Sequence, residues 1–211
     1  MKYDINIDIV AFIIGYATFI FYLWQYMADR KWKRKQFAAE VMNKIKDDDE
    51  FRLAVAFIDW RECEILIPDR YITSDEQKKS FKHTYALMAS AFDMNLREKL
   101  PGTDSFDLKP EEYTIERMIY VDVFERFFQY LEDISSFIKI GLVKWEDIIT
   151  ICYWAEKLYN YKFNDKPIFL DYLISYGYEG IIDIAKRYIS ETQKVSAHTN
   201  SNNSISLVRL P

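Results

Sequence analysis

Twenty consecutive residues from Ile9 to Ala28, IVAFIIGYATFIFYLWQYMA, carry no charge. At a rise of about 1.5 Å per residue they span about 30 Å as a helix, the thickness of a bilayer's hydrocarbon core. Five of the six residues from Arg30 to Lys35 are then basic: Arg30, Lys31, Lys33, Arg34 and Lys35. A core helix of a water-soluble protein seldom runs so far without charge and then meets so dense a cluster of cations. Tyr22, Trp24 and Tyr26 lie toward the basic end and Trp32 just beyond it, which suits rings that prefer the headgroup region. A cleaved signal peptide would carry its basic residues first, whereas Asp4 and Asp8 precede this stretch and no small-x-small site stands before Asp29. The expected element is an uncleaved anchor bounded by Ile9 and Ala28, with Gly15 and Trp24 inside it and the five cations on lipid headgroups.

The same charges set an orientation. Lys/Arg bias holds the positive end in the cytoplasm, so residues 1–29 comprise a short outside end and the anchor, and everything after Arg30 lies inside the inner membrane. Nucleic acid is a poor partner for the basic run. The chain holds 28 Lys/Arg against 33 Asp/Glu, and with five cations gathered in the run the remainder is more acidic still and repels phosphate. Only Cys63 and Cys152 occur, without CxxC spacing, as expected of free thiols in a reducing compartment.

Beyond the anchor the chain is one domain's worth of residues, rich in apolar side chains and poor in the Gly and Pro that a many-stranded sheet needs for turns. Its expected class is mainly α, a helical bundle behind one transmembrane helix. A basic juxtamembrane helix over 30–46 continues the anchor, because nothing breaks the pattern between Gly15 and Pro68 and Phe37, Val41, Met42 and Ile45 recur at helical spacing. Asp47, Asp48 and Asp49 predict a break and a fresh N-cap, with Leu53, Ala54, Phe57 and Ile58 facing inward from the next helix. The helical domain then extends over 47–190. Ile65 to Ile67 before Pro68 suit a short extended piece without an evident partner. Ser74 to Leu100 reads as a helix, 101–110 as a loop, and Pro110 to Gly141 as the longest helix, with Phe124, Phe127, Phe128, Leu131, Ile134, Phe137 and Ile138 inward. Lys144 to Asn160 and two shorter pieces split at Gly177–Gly180 complete it. Residues 191–211 form a polar, flexible tail, though its last residues, from Ser204, have the pattern of a strand.

Catalytic chemistry is hard to find. His83 and His198 are the only histidines, and no HExxH, cysteine cluster, Gly-rich phosphate loop or GxSxG elbow occurs, so neither a metal nor a cofactor is expected. Asp122, Glu125 and Glu132 share one helical face, which admits an acid-based hydrolase, but a solvated face is the plainer reading. Trp154, Tyr159, Tyr161, Tyr172 and Tyr176 form an aromatic concentration suited either to a binding patch or to the core. Ala11 and Gly15, four apart, permit close helix contact in a dimer.

Three stretches, WKRKQF (Trp32–Phe37), AVAFIDW (Ala54–Trp60) and YLEDISSFIKIGLV (Tyr130–Val143), give an order of features that resembles a loose group of bacterial single-pass, membrane-anchored helical proteins of unknown function. The resemblance covers most of the chain and brings no catalytic residues; by analogy with some such proteins it implies a role in stress or anti-phage responses. The expected function is a non-enzymatic module that binds membrane lipid and recruits a protein partner or a second copy. The alternative is a membrane effector whose triggered association perturbs the bilayer.

Overall fold

The computed structural model describes the backbone of residues 7–72, 79–103 and 106–206, and the side chains of 10–72, 79–103 and 106–194. Seven α-helices dominate it: α1 (Ile7–Asp47), α2 (Asp49–Asp59), α3 (Tyr85–Ala91), α4 (Ile115–Lys139), α5 (Trp145–Asn160), α6 (Leu170–Ser175) and α7 (Glu179–Ser206). The anchor stretch and the juxtamembrane stretch are one unbroken helix, as the absence of a breaker predicts. It ends where the aspartates were expected to end it. Asp48 is extended, and its carboxylate accepts from the Phe51 N–H at 2.9 Å to cap α2.

α4 is the spine of the domain. Its apolar positions recur every three or four residues, so Ile119, Val123, Phe124, Phe127, Leu131 and Ile134 fall on one stripe and are buried. Phe124 sits at the hub, its ring 4.8 Å from Phe169, 5.3 Å from Phe92 and 5.9 Å from Phe128, centroid to centroid. Phe137 and Ile138 reach only the margin of this core. The helix closes at Gly141, which adopts a φ of +75° that few other residues tolerate. Leu142 N–H then bonds back to Phe137 O and Gly141 N–H to Ile138 O, a Schellman turn.

Part of the expected helix from Ser74 to Leu100 is corrected. Residues 73–78 lie outside the described ones, and Ser80–Thr84 is a strand, β2, paired antiparallel with β1 (Glu62–Leu66) so that Ile65 faces Phe81 and Cys63 faces His83. The extended piece before Pro68 therefore has a partner. Phe81 and His83 are buried while Lys82 between them is exposed, an alternation too short to stand out beside the helical segment Tyr85–Ala91 that follows. Thr84 ends the strand and caps α3 by accepting from Leu87 N–H. Two further ribbons form: β3 (Arg97–Lys99) with β4 (Phe106–Leu108), on segments read as helix end and loop, and β5 (Lys162–Phe163) with β6 (Lys166–Pro167), between the expected helix Lys144–Asn160 and the shorter piece after it. The second turns on Asn164 and Asp165, both at positive φ, the pattern of a tight primed hairpin turn.

His83 is a fully buried strand residue rather than a helical one. Trp60 O lies 2.9 Å from Nε2 and can only accept, so Nε2 carries the proton and Nδ1 accepts from the Tyr120 hydroxyl at 2.7 Å. Burial disfavours the charged ring and lowers its pKa. The unfolded chain therefore binds the proton more readily. Stability should be complete above the ordinary histidine range and fall as pH drops below about 6.5. Melting in detergent at neutral pH and near pH 5 checks this, and His83→Gln should show the smaller fall.

Gly180, at the start of α7, lies against α4 so closely that an added Cβ would stand 2.5 Å from Glu132 Oε2 and 2.7 Å from Ser135 Cβ. Glu132 Oε1 also accepts from Ile181 N–H at 2.9 Å, capping α7 from the neighbouring helix. Gly180→Ala is expected to cost about 1–3 kcal/mol by overpacking, read as a lowered midpoint in thermal melts.

Candidate membrane-anchor site

Every residue from 10 to 33 on α1 is exposed. These include Phe12 at 74%, Ile14 at 62%, Trp24 at 65% and Met27 at 69% of full exposure. Their ring contacts are with their own helix, Phe12 with Tyr16 and Phe21 with Trp24. The helix is long and apolar enough to cross a membrane, its most apolar window has a mean hydropathy of 1.4, and none of that window is buried. A core helix passes the same length test but is covered by its own domain; this one is not. Gly15 has open space where a Cβ would go. Ala28 is exposed, and the side chain of Ile9 lies outside the described residues.

At Arg34 the helix changes character. The Arg34 guanidinium meets the Asp147 carboxylate of α5 at 3.3 Å, with both side chains mostly buried. The Phe37 ring packs edge-on against Phe137 of α4 at 5.3 Å, and Ala38 and Ile45 are buried. At the far end Asp48 accepts from the Tyr130 hydroxyl at 2.6 Å and lies 3.6 Å from Arg126. Burial opposes ionisation of Asp48, but the Tyr130 and Phe51 hydrogen bonds and the Arg126 charge outweigh it and hold its pKa below the usual carboxylate value. One helix is thus bare over its first half and locked into the domain over its second.

The basic run is split by this arrangement. Arg30, Lys31 and Lys35 are exposed, Lys33 pairs with Asp29 one turn back at 2.9 Å, and Arg34 is turned to the domain. Four of the five residues of the aromatic concentration are half-buried. Tyr172 is fully buried and donates to Glu125 at 2.7 Å, Tyr161 donates to Ile58 O at 3.0 Å, and Tyr176 accepts from Arg97 at 2.9 Å. Trp154 and Tyr159 are half-buried on α5.

The acid stripe of α4 is likewise put to structural use. Asp122 accepts from the Tyr71 hydroxyl at 2.5 Å, Glu125 from Tyr172, and Glu132 from Ile181 N–H, so each acid ties α4 to a different segment. Among the described residues no group of three or more His, Cys, Asp or Glu is placed to hold a metal ion. Cys63 is half-buried and Cys152 buried, both as free thiols, and burial pushes the Cys152 thiol up to about 12, away from a nucleophile's range. A cleft of about 590 Å³ between α3 and the β5–β6 hairpin is lined by Phe92, Met94 and Ile168 with Asp93, Asn164 and Asp171. Its Asp93 already accepts from the backbone N–H and side-chain amide of Asn95.

The partners of Arg34 and Asp48 were the features that sequence reasoning missed. Asp147 is 113 residues from Arg34 and Tyr130 is 82 from Asp48, and no local pattern links such pairs. No family model, no curated protein and no solved structure matches the chain.

Proposed function

We propose that the chain is a single-pass protein of the bacterial inner membrane, with a helical domain on the cytoplasmic side that recruits or assembles with protein partners and catalyses no reaction itself. The observation that carries this reading is the bare first half of α1, residues 10–33, uncharged as far as Ala28 and continuous with a second half fixed in the domain core. Exposing so many large apolar side chains to water is strongly unfavourable, and bilayer hydrocarbon removes that cost. Positive charge at the domain end of the stretch favours a cytoplasmic domain and contact with anionic headgroups, at about 1 kcal/mol per cation near the surface.

A lipid-embedded helix that continues into a locked segment holds the domain at a set height and face to the membrane. Such an element suits positioning of a partner better than free tethering. Crosslinking in native membranes followed by purification and mass spectrometry tests the recruitment role. Specific adducts to a second copy or to another protein, lost when the domain is replaced by an unrelated one, are expected. Adducts that persist with the unrelated domain, or none at all, contradict it.

A further inference from the structure

We infer that the turn between α4 and α5 is a second bilayer contact, in which Ile140 and Leu142 enter the headgroup region of an anionic phospholipid surface beside the anchor. This rests on the membrane-anchor reading above and adds to it a specific point of contact on the domain. α1 and α4 run antiparallel where they meet: Asp48, the residue just past the end of α1, meets Tyr130, and Phe37 of α1 meets Phe137. α4 therefore climbs alongside α1 toward its bare half, and the turn at 140–144 lies beyond Phe137 at the level of the basic run. Arg34, within that run, reaches Asp147 on the first turn of α5 and fixes the turn there.

At this place the chain exposes what a bilayer interface takes. Ile140 is 69% and Leu142 44% exposed, on a turn held rigid by the Schellman bonds and by buried Val143. Lys144 is exposed beside them, and Arg30, Lys31 and Lys35 are exposed on α1. Against these stand Glu146, exposed on α5, and Asp183, which lies 3.7 Å from Lys139. Asp29 and Asp147 are matched by Lys33 and Arg34, so the local balance is positive. Two apolar side chains among cations form the pattern of a peripheral insertion at the interface, and their position beside the anchor selects lipid over a protein groove.

The test uses the full chain in vesicles of phosphatidylcholine and phosphatidylglycerol containing a lipid-borne quencher. In a Cys63→Ser background the remaining Cys152 is buried, and a polarity-sensitive dye is placed in turn at Trp24→Cys, Ile140→Cys and Asn160→Cys. Asn160 is exposed at the opposite end of α5, about 24 Å from the turn. Blue-shifted, quenched emission at 24 and 140 but not at 160 is expected. Quenching at 24 with an aqueous signal at 140 overturns the inference and leaves the anchor reading intact, whereas an aqueous signal at 24 removes both. Because the dye is itself apolar, a label at Lys144→Cys is also read with and without Ile140→Ser and Leu142→Ser. Loss of quenching in the double serine variant supports the contact, and equal quenching overturns it.

Discussion

Phe124→Ala is expected to lower stability by about 3–5 kcal/mol, a large share of what a domain of this size possesses. Phe124 is fully buried at the point where α2, α3, α4 and the segment before α6 converge, against Phe57, Phe92, Phe127, Phe128 and Phe169. Truncation removes one ring and leaves a void that rigid aromatic neighbours refill poorly, so the loss exceeds the transfer energy of the ring alone. Thermal or denaturant unfolding of the chain in detergent measures it. Phe124→Leu, which keeps most of the volume, should recover more than half of the loss.

The second large effect falls on location. Thr18→Arg with Phe19→Arg places two cations at the middle of the uncharged stretch, where each costs about 2.5–3.5 kcal/mol in a lipid-embedded helix. Their side chains touch nothing in the domain, since residues 10–33 are exposed throughout. The variant should therefore leave the membrane fraction while its domain melts at an unchanged temperature. Loss of membrane association together with loss of folding would instead assign the bare helix a structural part that the fold does not give it.

Much of the helical framework was legible because helices announce themselves through long, local patterns. The uncharged run, the unbroken register to Lys46 and the aspartate break at Asp48 are all sequence-local, and the structure places α1 and α2 on them. α4 and α5 follow for the same reason, each with an apolar stripe of several turns. The ribbons were not legible, because three to five residues of alternation in Ser80–Thr84 or Arg97–Lys99 cannot outweigh the helix formers around them. The polar tail expected from residue 191 is helical in its backbone as far as Ser206. Residues after Glu191 are polar but contain neither Gly nor Pro before Pro211, so the backbone of α7 continues to Ser206 with Arg187–Glu191 bonded across one turn. Residues 207–211, most of the strand-like end, lie outside the described ones.

At the candidate site the legible part was again the local one. The long uncharged helix and the basic run after it could be read off directly, but the placement of Arg34 away from the other cations could not, since it depends on Asp147 meeting Arg34 across the fold. The acids of α4 show the same dependence on distant partners. Periodicity placed Asp122, Glu125 and Glu132 on one solvated face; Asp122 is exposed and Glu125 and Glu132 are half-buried, and their partners Tyr71, Tyr172 and Ile181 N–H lie too far along the chain to be read from it. Which polar face of a helix meets water is decided by its neighbours, not by its own sequence.

Extraction of the full chain from native membranes at alkaline pH tests the central claim most directly, because it separates a helix solvated by lipid from one held by charge or by protein. The account predicts that the chain stays in the pellet after carbonate treatment and is released only by detergent. Recovery of the chain in the carbonate supernatant would contradict it.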